Sequence, residues 1–166
     1  MEETRIVARA STITLDGALA RVFPLFGPIK EKVWAEGWNP VILVGDPGRV
    51  EEHMVFRTQS GHSEDAGQAT WIVSKYDPEI SLIEYTVFTQ ERIWWICIEC
   101  RAREADESTD AFIKYTYLGL NEQASRYNDE ALERMFRHDL KDWEMAINHY
   151  LRTGTQLRHD RSEPHG

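Results

Sequence analysis

The chain has 166 residues, 42% of them hydrophobic and 11% aromatic, with a net charge of −9 and an isoelectric point near 5.1. That composition suits a folded domain with one substantial core and excludes a disordered chain. The acidity argues against nucleic acid, whose binders need a basic stripe to neutralise phosphates, and against anionic membrane surfaces. No apolar run nears the roughly 20 residues of a transmembrane helix. Met1-Glu2-Glu3-Thr4-Arg5 lacks the basic start and apolar stretch of a signal peptide. A cytoplasmic protein without a membrane span is the expectation.

From the N-terminus, Arg5 to Leu15 alternates and is rich in Ala, Thr and Ile, which predicts a first strand. Asp16 has the chemistry of an N-cap, and Leu19, Val22, Phe23 and Phe26 repeat at helical spacing until Gly27-Pro28 breaks the run. A second short helix is predicted from Ile29 to about Ala35, before Gly37-Trp38-Asn39-Pro40. Six strands follow, bounded by turn chemistry: Val41 to Val44, Glu51 to Gln59, Ala69 to Tyr76, Leu82 to Phe88, Ile93 to Arg103 and Ala111 to Leu118. Their links, among them the polar loop Ser60 to Gln68, are too short for parallel crossovers, so the sheet should be antiparallel.

A last helix is predicted from Asn128 to about Arg152, with Asn128 as its cap, Asp129 and Glu130 in its first turn, and Gly154 as its stop. At about 100° per residue, Leu132, Met135, Phe136, Leu140, Trp143, Ala146, Ile147, Tyr150 and Leu151 share one side. Asp139, a heptad after Leu132, falls among them and sets a carboxylate where the pattern demands apolar groups. Residues 1–154 are expected to form a single domain, and 155–166 a polar, disordered tail.

One strand, two short helices, six antiparallel strands and a long helix make a β-α-α-β6-α order. In this order the chain resembles the START-like (SRPBCC) helix-grip superfamily, which includes the birch-pollen allergen, polyketide cyclases and coenzyme Q-binding proteins. The segment Val22-Phe23-Pro24-Leu25-Phe26-Gly27-Pro28-Ile29-Lys30-Glu31, with Trp34 and Gly37-Trp38, is similar to an uncharacterised bacterial subgroup of polyketide cyclase/dehydrase-like proteins. Glu52, Val55-Phe56, Thr70-Trp71 and Tyr76 also match that subgroup, while Ala35-Glu36 replaces its usual Ile-Pro. The resemblance implies an α+β fold in which a seven-stranded antiparallel sheet curves around the long C-terminal helix. It further implies an elongated, largely apolar cavity between them, and no particular reaction.

Strand alternation turns Ile83, Tyr85 and Val87, then Trp94, Ile96, Ile98 and Cys100, then Ala111, Ile113, Tyr115 and Tyr117 toward the helix. Tyr85, Tyr115 and Tyr117 would then carry hydroxyls into an apolar space, with Asp139 as an available acceptor. These four, with Phe136 and Trp143, are the candidate ligand-binding residues. Trp34, Trp38 and Trp71 are expected as packing residues, although the Gly37-Trp38 loop is placed to line a pocket mouth. Cys97 and Cys100, three apart in a strand, point to opposite faces and so neither pair nor share a metal. The six histidines do not converge, and neither metal nor cofactor is expected.

Three functions stay open at this level. One is a cavity that binds a small hydrophobic ligand such as a lipid, quinone or polyketide-like aromatic. Another is a polyketide cyclase- or dehydratase-like enzyme with Asp139 as acid or base beside a tyrosine. The third is a partner-docking protein using Phe112 and Leu118 on the outer face. A monomer or homodimer is expected.

Overall fold

The computed structural model describes residues 6–59 and 68–158. Strand β1 (Ile6–Leu15) leads into α1 (Leu19–Val22) and two 3₁₀ turns, Phe23–Phe26 and Lys30–Val33. Then come β2 (Val41–Val44), β3 (Val55–Gln59), β4 (Gln68–Asp77), β5 (Leu82–Phe88), β6 (Arg92–Ala102) and β7 (Thr109–Gly119). Helix α2 (Glu122–Arg134), a π-helical turn (Met135–Asp139) and α3 (Leu140–Thr153) run on as one helix of 32 residues. At 1.5 Å per residue it is about 48 Å long. All strand pairs are antiparallel, in the order β1-β7-β6-β5-β4-β3-β2, so the predicted α+β helix-grip architecture is the one adopted. The expected polar loop after β3 lies almost wholly outside the described residues, as does 159–166 of the expected tail.

Alternation decides which face is inside. Ile83, Tyr85 and Val87 on β5, Ile96, Ile98 and Cys100 on β6, and Ala111, Ile113, Tyr115 and Tyr117 on β7 are all buried, while Phe112 and Lys114 on the opposite face are exposed. Register sets Tyr85 opposite Ile96, and Ile96 opposite Tyr115, so the two tyrosines flank one isoleucine across three strands. Cys97 and Cys100 are free thiols on opposite faces of β6; burial raises both, Cys100 to about 12. Irregularities in register at Ile42/Val44 and Val73/Lys75 bend the β2–β5 side of the sheet.

The C-terminal end of the free edge of β1 is engaged by side chains of α3, which shortens the edge open to another strand. The Thr14 amide donates to the Glu144 carboxylate (2.8 Å), the Asp16 amide to Asn148 Oδ1 (2.7 Å), and Asn148 Nδ2 to the Thr14 carbonyl (3.2 Å). Arg152 pairs with Asp16. Asp16, predicted to cap a helix, is thus engaged by α3 instead, and Ala18 stands at the cap position of α1 with no side-chain hydrogen bond.

The long helix also starts earlier than its pattern suggests. Asn121, not Asn128, is the cap, its Oδ1 accepting from the Ala124 amide at 2.8 Å. Asn128 is fully buried and its Oδ1 accepts from the Arg92 guanidinium at 3.1 Å. That guanidinium lies over Trp94 (4.5 Å), Tyr127 (4.6 Å) and Tyr117 (5.4 Å), so a buried cation is held by ring faces and an amide oxygen.

The π turn re-phases everything after it. A π turn winds less per residue than an α turn, so five such residues leave the chain lagging by about one position, or about 100°. Leu140, eight residues after Leu132, therefore takes the buried position that unbroken α geometry gives to Asp139. Leu132, Leu140, Ile147 and Leu151 are buried, and Asp139 is half-buried.

Seating the start of α2 on the end of β7 requires Gly119. A Cβ there would stand 2.5 Å from the Ser125 amide nitrogen and 2.8 Å from its Cα, both backbone atoms that a side-chain rotation cannot move aside. Gly119→Ala is predicted to lower unfolding stability by about 1–3 kcal/mol through overpacking, read from urea denaturation midpoints.

Candidate functional site

Between the inner sheet face and α3 lies a cavity of about 550 Å³, a size usual for small-molecule sites. The sheet supplies Trp71, Tyr85, Ile96, Ile98 and Tyr115; α3 supplies Trp143 and Ala146; the second 3₁₀ turn and the loop after it supply Glu31, Trp34 and Trp38. The described start of the expected tail takes part as well. Leu157 completes one wall, and Gln156 donates to the Lys32 carbonyl at 2.9 Å, tying the chain after α3 to the 3₁₀ turn.

The aromatic walls are rigid because their polar ends are already engaged. The Trp34 indole N–H donates to the Leu25 carbonyl (2.7 Å), Trp38 to the Pro28 carbonyl (2.6 Å), and Trp71 to Thr58 Oγ1 (2.9 Å). The Tyr85 hydroxyl donates to the Phe26 carbonyl at 2.6 Å. The rings brace one another edge-on: Trp38 with Trp71 at 5.3 Å, Trp71 with Tyr85 at 5.5 Å and Trp34 with Trp143 at 5.8 Å between centroids. Such pairs add stability beyond buried area. With their N–H groups spent on the protein, Trp34, Trp38 and Trp71 offer the cavity π faces rather than donors.

Of the six residues singled out from sequence, Tyr85, Tyr115 and Trp143 line this cavity, while Tyr117, Phe136 and Asp139 do not. The latter three gather on the far side of Tyr115. Phe136 and Tyr117 meet its ring edge-on at 6.1 and 5.9 Å. Asp139 is half-buried, and burial raises its carboxyl against the opposing pull of Arg134. The Tyr115 phenol is raised well above its usual value by burial first, then by Tyr117, Glu31 and Asp139, so it stands between two carboxyls.

Glu31 is the residue that sequence reasoning left unmarked. Its flanks, Lys30 and Lys32, make the segment look like a solvated charge run. In a 3₁₀ turn, however, side chains three apart eclipse, so Glu31 shares the inward face with Trp34; that i,i+3 relation to a tryptophan was the available signal. The carboxyl is enclosed, and burial alone pushes it well above the usual carboxylate range. The residue as a whole is half-buried and lines the cavity. It lies close enough to Tyr85 and Tyr115 that its charge adds to burial in raising both phenols.

No described histidine lines the cavity, and no group of three or more His, Cys, Asp or Glu among the described residues is arranged to hold a metal. No helix among the described residues is long and apolar enough to cross a membrane. A second cavity of about 220 Å³ lies outside the first, between the first 3₁₀ turn and the Pro47–Val50 stretch, and carries Lys30 and Arg49 but no acid.

No family model matches the sequence, and no curated protein matches it significantly. Solved structures do match in shape. Norcoclaurine synthase from Thalictrum flavum superposes with a TM-score of 0.65 over 90% of this chain and 88% of that one, at 9% identity. A protein from Nitrosospira multiformis gives 0.62 over 88% and 99%, at 13% identity. Ara h 8.0201 gives 0.61 over 90% and 99%, at 11% identity. At these identities the likeness is one of fold, and the fold is the START-like, birch-pollen-allergen-type helix grip.

The raised Glu31 carboxyl has a consequence for stability. Below its ordinary value of 4.5 both folded and unfolded chains hold the proton. Above that value the unfolded chain releases it while the folded chain keeps it, so this group's contribution to stability falls as pH climbs from about 4.5 through the raised folded value. Glu31→Gln removes that dependence. Thermal melts between pH 4.5 and 8 are expected to show a shallower decline for the variant and a higher melting temperature than wild type at the alkaline end.

Proposed function

We propose that the protein binds a small hydrophobic or aromatic molecule in the cavity between sheet and C-terminal helix. The observation that carries this reading is a void of about 550 Å³ walled by six aromatic side chains, the polar ends of Trp34, Trp38, Trp71 and Tyr85 being held by the protein. Filling such a space with tightly packed aliphatic groups would stabilise the fold more than leaving it open. Tyr85, Tyr115 and Trp143 contact the ligand. Tyr117, Phe136 and Asp139 act on it through Tyr115, the first two by packing on its ring and Asp139 by its charge.

A cyclase- or dehydratase-like reaction with Asp139 as acid or base is the weaker reading. General acid–base catalysis needs the group within hydrogen-bond reach of the reacting atom, and Asp139 is not among the residues that line the cavity.

Ala146 offers a test that spares the aromatic walls. It lies on α3 at the cavity and is half-buried, so Ala146→Trp puts an indole into the void. The neutral fluorescent probe N-phenyl-1-naphthylamine is expected to bind the wild type with enhanced emission. The variant, folded by circular dichroism, should lose at least about tenfold in affinity, or about 1.4 kcal/mol. Equal binding by both proteins would place the probe elsewhere and refute the cavity as the binding site.

A further inference from the structure

The lining of the cavity is charged with one sign. Glu31 stands inside, Glu36 and Asp142 stand exposed at its margin, and no Lys, Arg or His among the described residues joins them. The rest of the lining is aromatic or aliphatic apart from Gly37. An acid beside π faces is the arrangement that recognises a cation, because the negative face of each ring and the carboxylate attract the same charge. We infer that the ligand carries a cationic amine on a hydrophobic body, with the ammonium seated between Glu31 and the faces of Trp34, Trp38 and Trp143. The inference rests on the cavity being the binding site, as proposed above.

Three further observations favour it. The indole N–H groups of Trp34, Trp38 and Trp71 and the Tyr85 hydroxyl are bonded to protein oxygens, which leaves the Tyr115 hydroxyl and the Trp143 indole as the donors of the aromatic wall, few for a carboxylate or phosphate headgroup. Glu31 itself has no protein cation beside it: burial is the only influence on its carboxyl, and no hydrogen bond or ion pair engages that side chain among the described residues. Glutamine would suit an enclosed, partnerless position better, since a neutral amide is cheaper to bury than a carboxylate. An ammonium ligand supplies the missing partner. The net charge of −9 would draw the same ligands from a distance and repel anionic ones.

Three naphthalenes of matched shape separate charge from hydrophobicity: 1-naphthylmethylamine, 1-ethylnaphthalene and 1-naphthylacetate. In titration calorimetry at neutral pH the ammonium is expected to bind at least about tenfold more tightly than the neutral isostere, with the carboxylate weakest. Glu31→Gln should erase that advantage while leaving ethylnaphthalene affinity within about twofold, which also certifies that the variant's cavity is intact. Trp38→Leu, which keeps the site apolar but removes a π face, should weaken the amine more than the hydrocarbon. If ethylnaphthalene or naphthylacetate matches the amine in wild type, the cation preference is refuted and the cavity reading survives. An advantage that persists in Glu31→Gln refutes the seat assigned here. If none of the three binds, the cavity reading falls along with it.

Discussion

The grip of the sheet on the long helix depends on where the helix is re-phased. A straight α-helix with this sequence would turn Asp139 inward and rotate Leu140 toward the rim. The π turn at Met135–Asp139 reverses that choice, so Leu140, Trp143, Ile147 and Leu151 meet the sheet. Without it, the helix would bring a carboxylate onto the apolar core at a cost of several kcal/mol. With it, Trp143 packs against Phe26, Trp34 and Tyr115 and gives the cavity its helical wall. Single-turn π bulges of this kind often accompany functional sites.

Arg92 and Glu31 are both drawn away from solvent, and they are treated differently. Arg92 is enclosed by three ring faces and accepts help from Asn128, so its charge is balanced by quadrupoles and an amide dipole. Glu31 has rings near it but no ion pair with a described residue, and its burial drives it toward the neutral acid. The first arrangement fastens α2 to the sheet. The second leaves an unmet electrostatic demand at the edge of a void, which is how binding sites differ from cores.

The aromatic walls owe their stiffness to hydrogen bonds that run away from the cavity. Leu25, Phe26 and Pro28 lend their carbonyls to Trp34, Tyr85 and Trp38, so the short 3₁₀ segment acts as a clamp on three rings at once. A preformed pocket loses less conformational freedom on binding than one that must assemble. Tyr115 differs, because its ring is fixed by Phe136, Tyr117 and Trp143 rather than by a hydrogen bond to its hydroxyl.

Much of the fold was legible because period-two alternation in short strands is a local property: which residues of β5, β6 and β7 face inward follows from the sequence alone. The start of the last helix was not, since Asn121 to Tyr127 is too polar to show a stripe and Asn128-Asp129-Glu130 imitates a cap. Asp139 was drawn inward by assuming unbroken α geometry. Glu31 was hidden by its lysine neighbours, and Trp34, Trp38 and Trp71 could not be gathered into one wall from positions so far apart. The sequence by itself determined strand faces, the order of elements and the presence of a long last helix, because backbone sterics and local hydrophobic spacing act within a few residues, while the curl of the sheet around that helix was implied by the family resemblance. Only the tertiary structure decided the phase of that helix and the side chains meeting around the void, because both depend on contacts between segments distant along the chain.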